Sequence, residues 1–394
     1  MLLFAAPTAL AEDWTATWTA SPQTITKAED GLEPGVPSSL RDQTLRQVVH
    51  VSLGGRSVRV ELSNAYSDAP LSIGEARIAR TDSGAAIVES SDRPLTFGGQ
   101  TRIVIPPGAV AISDPVSLNV PALSDLTVSI YVPEETPVAA FHWTGGQTGY
   151  LASGNVTSAA NVTKEVTFTP RLFVSAVLVE ERRFARTVAA FGDSITDGSS
   201  ATVDANTRWP DRLAERLAPY HIGTINAGIS GNQLLLDGMG DNAVARFERD
   251  VLSQPGVDTV IFLIGVNDLG AFQRPAPPTA DEMIAGYRQL IAQAHSHGVR
   301  IIGATLTPFE GALEGFADGY YTPEKNLVKN AVNEWIRSTD ELDGFVDFDL
   351  ALQDPENPAH IQEQYNSGDA LHPNDAGLRA MADAVDLGLL LRRR

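Results

Sequence analysis

One stretch of the chain, residues 188–198, constrains the fold more than any other. A short apolar run stops abruptly at Gly192-Asp193-Ser194 and leads into a polar turn that ends at Gly198. This pattern is typical of a buried parallel strand that ends at the carboxyl edge of a sheet, where open α/β sheets bind their ligands. It places Ser194 at the mouth of a crevice. The same residues also fit a Ser/Asp turn that merely begins a helix, so the chemical interpretation depends on residues later in the chain.

The chain divides into two parts with different patterning. Residues 12–182 contain many short strand-like runs between turn residues, which predicts an all-β domain, either a sandwich or a jelly roll. Within it, runs 48–53 and 58–63 flank Gly54-Gly55, a pattern typical of a β-hairpin. Residues 187–394 alternate strand-like and helical patterns, which predicts an α/β domain: a doubly wound parallel sheet between two layers of helices.

The elements of the second domain follow from their hydrophobic periodicity. The predicted strands are 187–191, 223–227, 259–265, 300–305 and 345–348, and the predicted helices are 209–218, 241–252, 279–297, 322–338 and 374–390.

Composition excludes several classes of protein. The 394 residues are 43% hydrophobic, which is enough to form two cores, and the formal net charge is −20. Nucleic acids and anionic membranes bind basic surfaces, so neither is an expected partner. The chain has no cysteine, which excludes disulfides, cysteine-ligated zinc and a thiol nucleophile.

The N-terminus predicts export. Residues 1–11 are apolar and end in Ala9-Leu10-Ala11, which resembles the small-residue cleavage site of a signal peptide, although a basic start is missing. The alternative is a plain apolar tail. We therefore expect a secreted or periplasmic protein. No later apolar run approaches the ~20 residues of a membrane helix, so membrane insertion is not expected.

His372 is the candidate general base. It lies in a polar loop just before the last predicted helix, and Asp369 precedes it by three residues. In a turn, that spacing brings the carboxylate to one ring nitrogen and leaves the other free for a serine. Pro373 restrains the loop. The alternative is an ordinary surface histidine, because the pattern is short.

Other histidines and one other serine are weaker candidates. His295 and His297 lie two apart on a helix and face different directions, so we interpret them as solvated residues at a helix end. His142, within Phe141-His142-Trp143, is interpreted as structural. Ser296 lies between two histidines but ends a helix instead of a strand, which is the wrong context for a nucleophile elbow.

Two further positions could bind a developing oxyanion. Gly231 comes after the second predicted strand and can present its backbone N–H without obstruction, and Asn267 comes after the third strand with an amide NH₂. Glycine and asparagine are also common in ordinary βα turns, so each position alone has that simpler explanation.

Together these residues resemble the SGNH (GDSL-type) hydrolase family. The resemblance covers about half the chain and rests on four blocks in the family's order: Gly192-Asp193-Ser194, Ile229-Ser230-Gly231-Asn232, Gly265-Val266-Asn267-Asp268 and Asp369-Ala370-Leu371-His372. It implies Ser194 as nucleophile, His372 as base and Asp369 as its orienting residue. It also implies an oxyanion hole formed by the N–H groups of Ser194 and Gly231 and the side chain of Asn267, with no metal or cofactor.

The β-rich half is similar to that of secreted SGNH esterases grouped with a rumen-bacterial arylesterase. The expected activity is hydrolysis of short, acetyl-type esters of carbohydrates or small aryl alcohols. The alternatives are a lysophospholipase and a non-catalytic carbohydrate-binding protein. The β domain either binds polysaccharide or packs against the catalytic domain and walls the cleft, and we expect the packing role. The sequence does not indicate an oligomeric state.

Overall fold

A computed structural model of the chain describes residues 14–24, 36–180, 185–270 and 276–392. The predicted signal peptide at residues 1–11 lies outside this part. So do residues 181–184, which link the two predicted domains.

The described residues before the link form antiparallel sheets. Their strands are β1 (Trp14–Thr19), β2 (Gln23–Thr24), β3 (Ser39–Leu40), β4 (Gln43–Val51), β5 (Gly55–Ser63), β6 (Leu71–Ile73), β7 (Glu75–Ser83), β8 (Ala86–Ile87), β9 (Arg93–Pro94), β10 (Ile103–Ile105), β11 (Val110–Ile112), β12 (Val116–Val120), β13 (Ser124–Val132), β14 (Thr136–Pro137), β15 (Ala140–His142), β16 (Gly149–Ser153), β17 (Val166–Phe168), β18 (Arg171–Leu172) and β19 (Val174–Glu180). A 3₁₀ turn lies at Glu89–Ser91.

Two large sheets enclose the core of this domain. One has the order β1-β19-β5-β11 with β12 also paired to β5, and the other has the order β17-β16-β4-β13-β7-β8 with β9 paired to β7. Alternate residues of the two sheets, such as Val58 and Val60 of β5 and Val128 and Ile130 of β13, are fully buried in one cluster. The period of two therefore directs one face of each sheet into a common interior. The prediction of an all-β domain is confirmed.

The predicted hairpin around Gly54-Gly55 is wrong. β4 pairs with β13 and β16, whereas β5 pairs with β19 in the other sheet, so the chain crosses between sheets at this point. A Cβ on Gly54 would lie 2.3 Å from the carbonyl oxygen of Val120, and one on Gly55 would lie 2.7 Å from that of Glu180. The two glycines permit close backbone approach at a crossover instead of forming a tight turn.

The second domain alternates strands and helices. Its strands are β20 (Arg186–Gly192), β21 (Ile222–Gly228), β22 (Val257–Leu263), β23 (Arg300–Ala304) and β24 (Phe345–Val346). Its α-helices are α1 (Ser194–Asp197), α2 (Trp209–Leu217), α3 (Ala243–Phe247), α4 (Val266–Gly270), α5 (Ala280–Ser296), α6 (Pro323–Ser338), α7 (Phe348–Leu352), α8 (Asp375–Ala384) and α9 (Leu387–Leu391). A π-helical turn at Glu248–Leu252 continues α3, and 3₁₀ turns lie at Ala218–Tyr220 and Glu363–Tyr365.

This domain is the predicted doubly wound α/β fold. Its strand pairs are parallel, in the order β21-β20-β22-β23-β24. Helix α2 packs with α8, while α3 and α6 pack with α5. The predicted strand ends are shifted by a residue or two, but the predicted last helix is broken at Val385, where Asp386 caps a new helix, α9. None of the helices in the described ranges combines the length and apolar character needed to cross a membrane.

The two domains share β19, which is buried on both faces. Val177 and Val179 contribute to the core of the β domain, whereas Ala176 and Leu178 contribute to the core of the α/β domain. Backbone bonds join the domains as well, since the N–H of Ala16 donates to the carbonyl of Pro255 over 2.8 Å. The β domain therefore packs directly on the α/β domain through its first sheet.

Arg246 binds the carboxyl ends of two strands. Its guanidinium, 1% exposed, donates to the carbonyl oxygens of Gly192 in β20 and Ala227 in β21, each over 2.8 Å. It also donates to the side chain of Asn232 over 2.9 Å and pairs with Asp250 over 3.0 Å. The end of a parallel strand leaves carbonyls without a partner in the sheet, and a buried arginine can satisfy several at once.

We expect Arg246→Met to lower the free energy of unfolding by about 2 to 4 kcal/mol, because it removes a buried cation from Asp250 and a donor from two buried carbonyls, although Asp250 keeps its pair with Arg249 and the carbonyl of Gly192 keeps the N–H of Ile229. Denaturant titration measures this. Arg288→Met is the control, since Arg288 forms an exposed pair with Glu341 and its removal should leave stability unchanged. Equal effects of the two substitutions would contradict the structural role of Arg246.

Asp193 is a buried carboxyl at the end of β20. It is the N-cap of α1, where one oxygen accepts from the N–H of Ile195 over 3.1 Å, and its Oδ2 has no hydrogen-bond partner among the described residues. Burial raises the pKa of Asp193 to about 7, with the negative charge of Asp268 acting in the same direction. The free-energy cost of removing the charged carboxylate from water is thus only partly offset by the hydrogen bond from Ile195.

We expect Asp193→Asn to gain stability relative to the wild type as pH rises from about 4 to 8. The folded pKa of about 7 lies above the ~3.9 of an exposed aspartate, so the wild type loses stability as pH rises through this window, while asparagine does not titrate. The difference in unfolding free energy should change by roughly 2 to 4 kcal/mol. Urea titrations of both proteins across this range measure it, and a difference independent of pH would show that Asp193 titrates as an exposed residue.

Candidate active site

Ser194 lies at the strand-to-helix turn that the sequence predicts. It is the first residue of α1, directly after β20 and Asp193, and is 5% exposed. A Cβ on Gly192 would lie 2.3 Å from the carbonyl of Leu263 in β22, so glycine is needed for the strands to approach at this point. The turn fixes the Ser194 hydroxyl at the carboxyl edge of the sheet.

A short loop holds His372 against Asp369. The Nδ1 atom of His372 lies 2.6 Å from Oδ2 of Asp369, while Oδ1 accepts from the N–H groups of Leu371 and His372 over 3.0 and 2.8 Å. Ala370 between them has a positive φ of 56°. The three-residue spacing therefore folds into a turn in which one carboxylate binds both the backbone and the imidazole.

These contacts change the acidity of Asp369. Burial by itself raises the pKa of that carboxyl, but the hydrogen bonds donated by His372 and by the backbone of Leu371 outweigh it and hold the pKa well below its ordinary value. Asp369 is thus a carboxylate throughout the neutral range. It fixes the hydrogen of His372 on Nδ1 and leaves Nε2 as an acceptor.

The structure joins the three residues into one chain of hydrogen bonds. Nε2 of His372 lies 2.8 Å from Oγ of Ser194, although 178 positions separate the two residues in sequence. Asn374 stabilises the loop: it caps α8 through the N–H groups of Ala376 and Gly377, and its amide donates to the carbonyl of Asn366. A serine, an imidazole and a carboxylate in this order are the arrangement needed for nucleophilic attack assisted by a base.

Gly231 and Asn267 lie on neighbouring turns at the same edge. Gly231 has a φ of 76°, and a Cβ there would lie 2.6 Å from Met239. Asn267 donates one amide hydrogen to the carbonyl of Asn232, the residue after Gly231, over 3.0 Å. Because an amide nitrogen carries two hydrogens, a second donor remains on Asn267.

Tyr320 orients the amide of Asn267. Its hydroxyl donates to Oδ1 of Asn267 over 2.7 Å, which places the amide nitrogen on the opposite side. Burial raises the pKa of Tyr320 well above its ordinary value, so the phenol keeps its proton. Sequence reasoning missed this residue, since no motif surrounds it.

Asp268 was also missed, although it adjoins Asn267 in the same block. Its two oxygens accept from the N–H groups of Leu234 and Leu235 over 2.6 and 2.9 Å. It thereby braces the segment that comes after Gly231. A carboxylate next to a candidate donor asparagine was the one indication of this role in the sequence.

Ser296 also lies beside a histidine and a carboxylate, but the hydrogen bonds around it do not allow that histidine to act as a base. Its Oγ lies 3.2 Å from Nδ1 of His297, whose Nε2 pairs with Glu248 over 3.1 Å. Both the Ser296 hydroxyl and Nδ1 of His297 bond to the carbonyl of Gln293, so each carries a hydrogen directed at that oxygen. Nδ1 therefore cannot accept the serine proton. The group is exposed at the end of α5, in agreement with the interpretation from sequence.

The remaining histidine of interest has a different partner. His142, predicted to be structural, is buried against Asp197 of α1. Within the described ranges, no group of three or more potential ligands is positioned to hold a metal ion.

Comparison with known proteins identifies the second domain. Residues 190–380 match the model of the GDSL-like Lipase/Acylhydrolase family. No curated protein matches the chain. The resemblance inferred from the four sequence blocks is confirmed by the family match.

Solved structures similar to the chain cover about half of it. A GDSL-like lipase from Bacteroides thetaiotaomicron is 18% identical with a TM-score of 0.42, covering 53% of this chain and 90% of its own. The native aryl esterase of M. smegmatis is 18% identical with a TM-score of 0.41, covering 51% and 96%. A carbohydrate acetylesterase from Sinorhizobium meliloti is 21% identical with a TM-score of 0.40, covering 50% and 95%.

The α/β domain of this chain, matched over residues 190–380, therefore belongs to the GDSL-like lipase/acylhydrolase family, and the protein is a carboxylic ester hydrolase.

Proposed function

We propose that the protein is a serine esterase that hydrolyses short, acetyl-type esters through an acyl-enzyme formed on Ser194. The observation that carries this proposal is the unbroken chain of hydrogen bonds from Asp369 through His372 to Ser194. No metal or cofactor has a role in the proposed reaction.

In the acylation step, Oγ of Ser194 attacks the ester carbonyl while Nε2 of His372 takes its proton. The ionised Asp369 stabilises the imidazolium that forms. Collapse of the tetrahedral intermediate breaks the bond to the leaving alcohol, which receives the proton from Nε2. Water then attacks the acyl-enzyme with His372 again as base, and the acid is released as Ser194 recovers its proton.

The developing oxyanion is the second requirement. The proposed donors are the backbone N–H groups of Ser194 and Gly231 and the free amide hydrogen of Asn267. The bonds from Tyr320 and to the carbonyl of Asn232 orient Asn267 before substrate binds. Such preorganised donors stabilise the transition state without reorganisation, and each is typically worth ~10²–10³ in rate.

Hydroxyl groups beside the nucleophile support a polar alcohol as the leaving group. The exposed Ser199, just beyond α1, lies 2.7 Å from the hydroxyl of Ser230, which lies 2.7 Å from that of Thr144. These hydroxyls lie at the far end of the short helix that begins at Ser194, where the N–H of Ser199 donates to the carbonyl of Ser194 over 3.1 Å, and such a surface suits a carbohydrate better than a long acyl chain. Acetylated carbohydrate is therefore the preferred substrate class, with small aryl esters as simple substitutes.

One observation favours a second candidate, a lysophospholipase-type activity on longer acyl chains. Phe316 is 89% exposed, in a segment where the N–H of Leu313 donates to the carbonyl of Asp369 over 2.9 Å. The N–H of Phe316 bonds to the carbonyl of Leu313, so this aromatic residue lies one turn from the catalytic loop. An exposed aromatic side chain there can contact an apolar acyl group.

We expect Ser194→Ala to lower kcat for p-nitrophenyl acetate by at least ~10³-fold without loss of folding, because it removes the nucleophile and only one buried oxygen. Ser296→Ala is the matched control, since that serine also contacts a histidine, and it should keep full activity. Wild-type rates in Ser194→Ala would refute the assignment. The same assays with esters from acetyl to palmitoyl separate the candidates, since an optimum for short acyl chains supports the acetylesterase and a long-chain optimum supports the lysophospholipase.

We expect Asn267→Ala to lower kcat by roughly 10²–10³-fold with little change in KM, because the lost donor acts mainly in the transition state. Tyr320→Phe, which removes only the hydroxyl that orients Asn267, should give a smaller loss in the same parameter. Steady-state kinetics on p-nitrophenyl acetate measure both. An effect of Asn267→Ala confined to KM would show that the amide binds substrate in its ground state instead.

A further inference from the structure

His142 of the β domain reaches into the α/β domain. It ends β15, is 5% exposed, and its Nε2 lies 3.0 Å from Oδ1 of Asp197 in α1. Asp197 is fully buried and ends the short helix that begins at Ser194. The first domain thus places a ring directly behind the helix that carries the candidate nucleophile.

Asp197 connects this histidine to the candidate oxyanion loop. Its Oδ2 accepts from both the backbone N–H and the hydroxyl of Ser230, over 2.9 and 2.8 Å. Ser230 immediately precedes Gly231, whose N–H is a proposed donor. One carboxylate therefore binds the histidine with one oxygen and the loop with the other.

The partners of His142 fix the proton at this contact. Nδ1 of His142 lies 3.0 Å from the carbonyl oxygen of Ser21, which can only accept, so Nδ1 carries a hydrogen. Two lone pairs facing each other at 3.0 Å would repel, so a proton lies between Nε2 and the carboxyl oxygen of Asp197. The contact is a hydrogen bond between two buried titratable groups.

Thr144 adds a second contact from the same domain. The hydroxyl of Ser230 uses its one hydrogen on Asp197, so it accepts from the hydroxyls of Thr144 and Ser199. The β domain thus binds this loop both through Asp197 and directly.

We propose that His142 is a positioning residue for ester hydrolysis: through Asp197 and Ser230 it holds the loop of Gly231 at the distance from Ser194 that the oxyanion requires. This inference rests on the proposed function. It gives the β domain a role in catalysis in addition to packing against the α/β domain. Donor placement matters because a shift of about 1 Å can lower the rate by ~10²-fold.

The test compares three variants. His142→Leu replaces the ring with an apolar side chain of similar size and removes the hydrogen bond to Asp197. His142→Gln places an amide N–H near the position of Nε2. His50→Leu is the matched control: His50 is a half-buried histidine of the β domain that also reaches the other domain, but it bonds to Asp125 and Asn206 instead of the oxyanion loop.

For His142→Leu we expect kcat for p-nitrophenyl acetate to fall by roughly 10–100-fold with KM within about threefold of the wild type. His142→Gln should recover most of this loss, and His50→Leu should keep the wild-type kcat. Thermal midpoints of all variants separate lost stability from lost catalysis. The proposal is overturned if His142→Leu affects kcat no more than His50→Leu does, or if His142→Gln restores nothing.

A parallel measurement on Ser194→Ala separates the two proposals. Full activity in that variant overturns the serine mechanism itself, whereas an inactive Ser194→Ala beside a fully active His142→Leu overturns only the positioning role. If His142→Leu does not fold, His142→Asn takes its place, since its shorter amide can keep the bond to the carbonyl of Ser21 but cannot reach Asp197. A lower kcat at unchanged KM in His142→Asn supports the proposal, and an unchanged kcat overturns it.

Discussion

The buried guanidinium of Arg246 sets the geometry on which the active site depends. It binds carbonyls at the ends of β20 and β21, those of Gly192 and Ala227, and the side chain of Asn232. Ser194 lies just beyond the first of these strands and Gly231 just beyond the second. A planar group with fixed donor directions thus holds the candidate nucleophile and a candidate oxyanion donor at a fixed separation. A single flexible ammonium could not bind three acceptors in fixed directions at once.

Both domains contribute contacts that hold the residues of the candidate site in position. Within the α/β domain, Arg246 holds the strand ends, and Asp268 and Tyr320 hold the turns around Asn267. The β domain supplies the contact to Asp197 from the opposite side. Because β19 belongs to both hydrophobic cores, the β domain has a packed position from which His142 can act. A tethered binding module on a flexible linker would not provide such a position.

The fold was predictable where its determinants are local. Each strand of the α/β domain is a short apolar run between turns, and parallel order follows from alternation with helices. The crossover at Gly54-Gly55 was not predictable, because a Gly-Gly pair shows that two backbones approach closely but not which strands they belong to. β4 pairs with β13 and β5 pairs with β19, and both partners lie far along the chain. Such pairings are decided by the fit of whole sheets.

In the candidate site, too, local contacts could be predicted from the sequence and long-range contacts could not. Asp369 and His372 could be paired from sequence because a three-residue turn brings them together, and four blocks in a known order supplied Ser194 and the donors. The role of His142 could not be predicted from the sequence. Its partner Asp197 lies 55 residues later, and its apolar neighbours made it resemble a core residue. The two kinds of contact also govern different steps. The local pair fixes the tautomer and direction of the imidazole, which every proton transfer of the proposed mechanism uses. The contacts between domains hold the candidate donors in place around the proposed oxyanion, which exists only at the transition state. Substitutions that disturb the contacts between the domains should therefore lower kcat while substrate binding persists, as expected when an interaction forms only at the transition state.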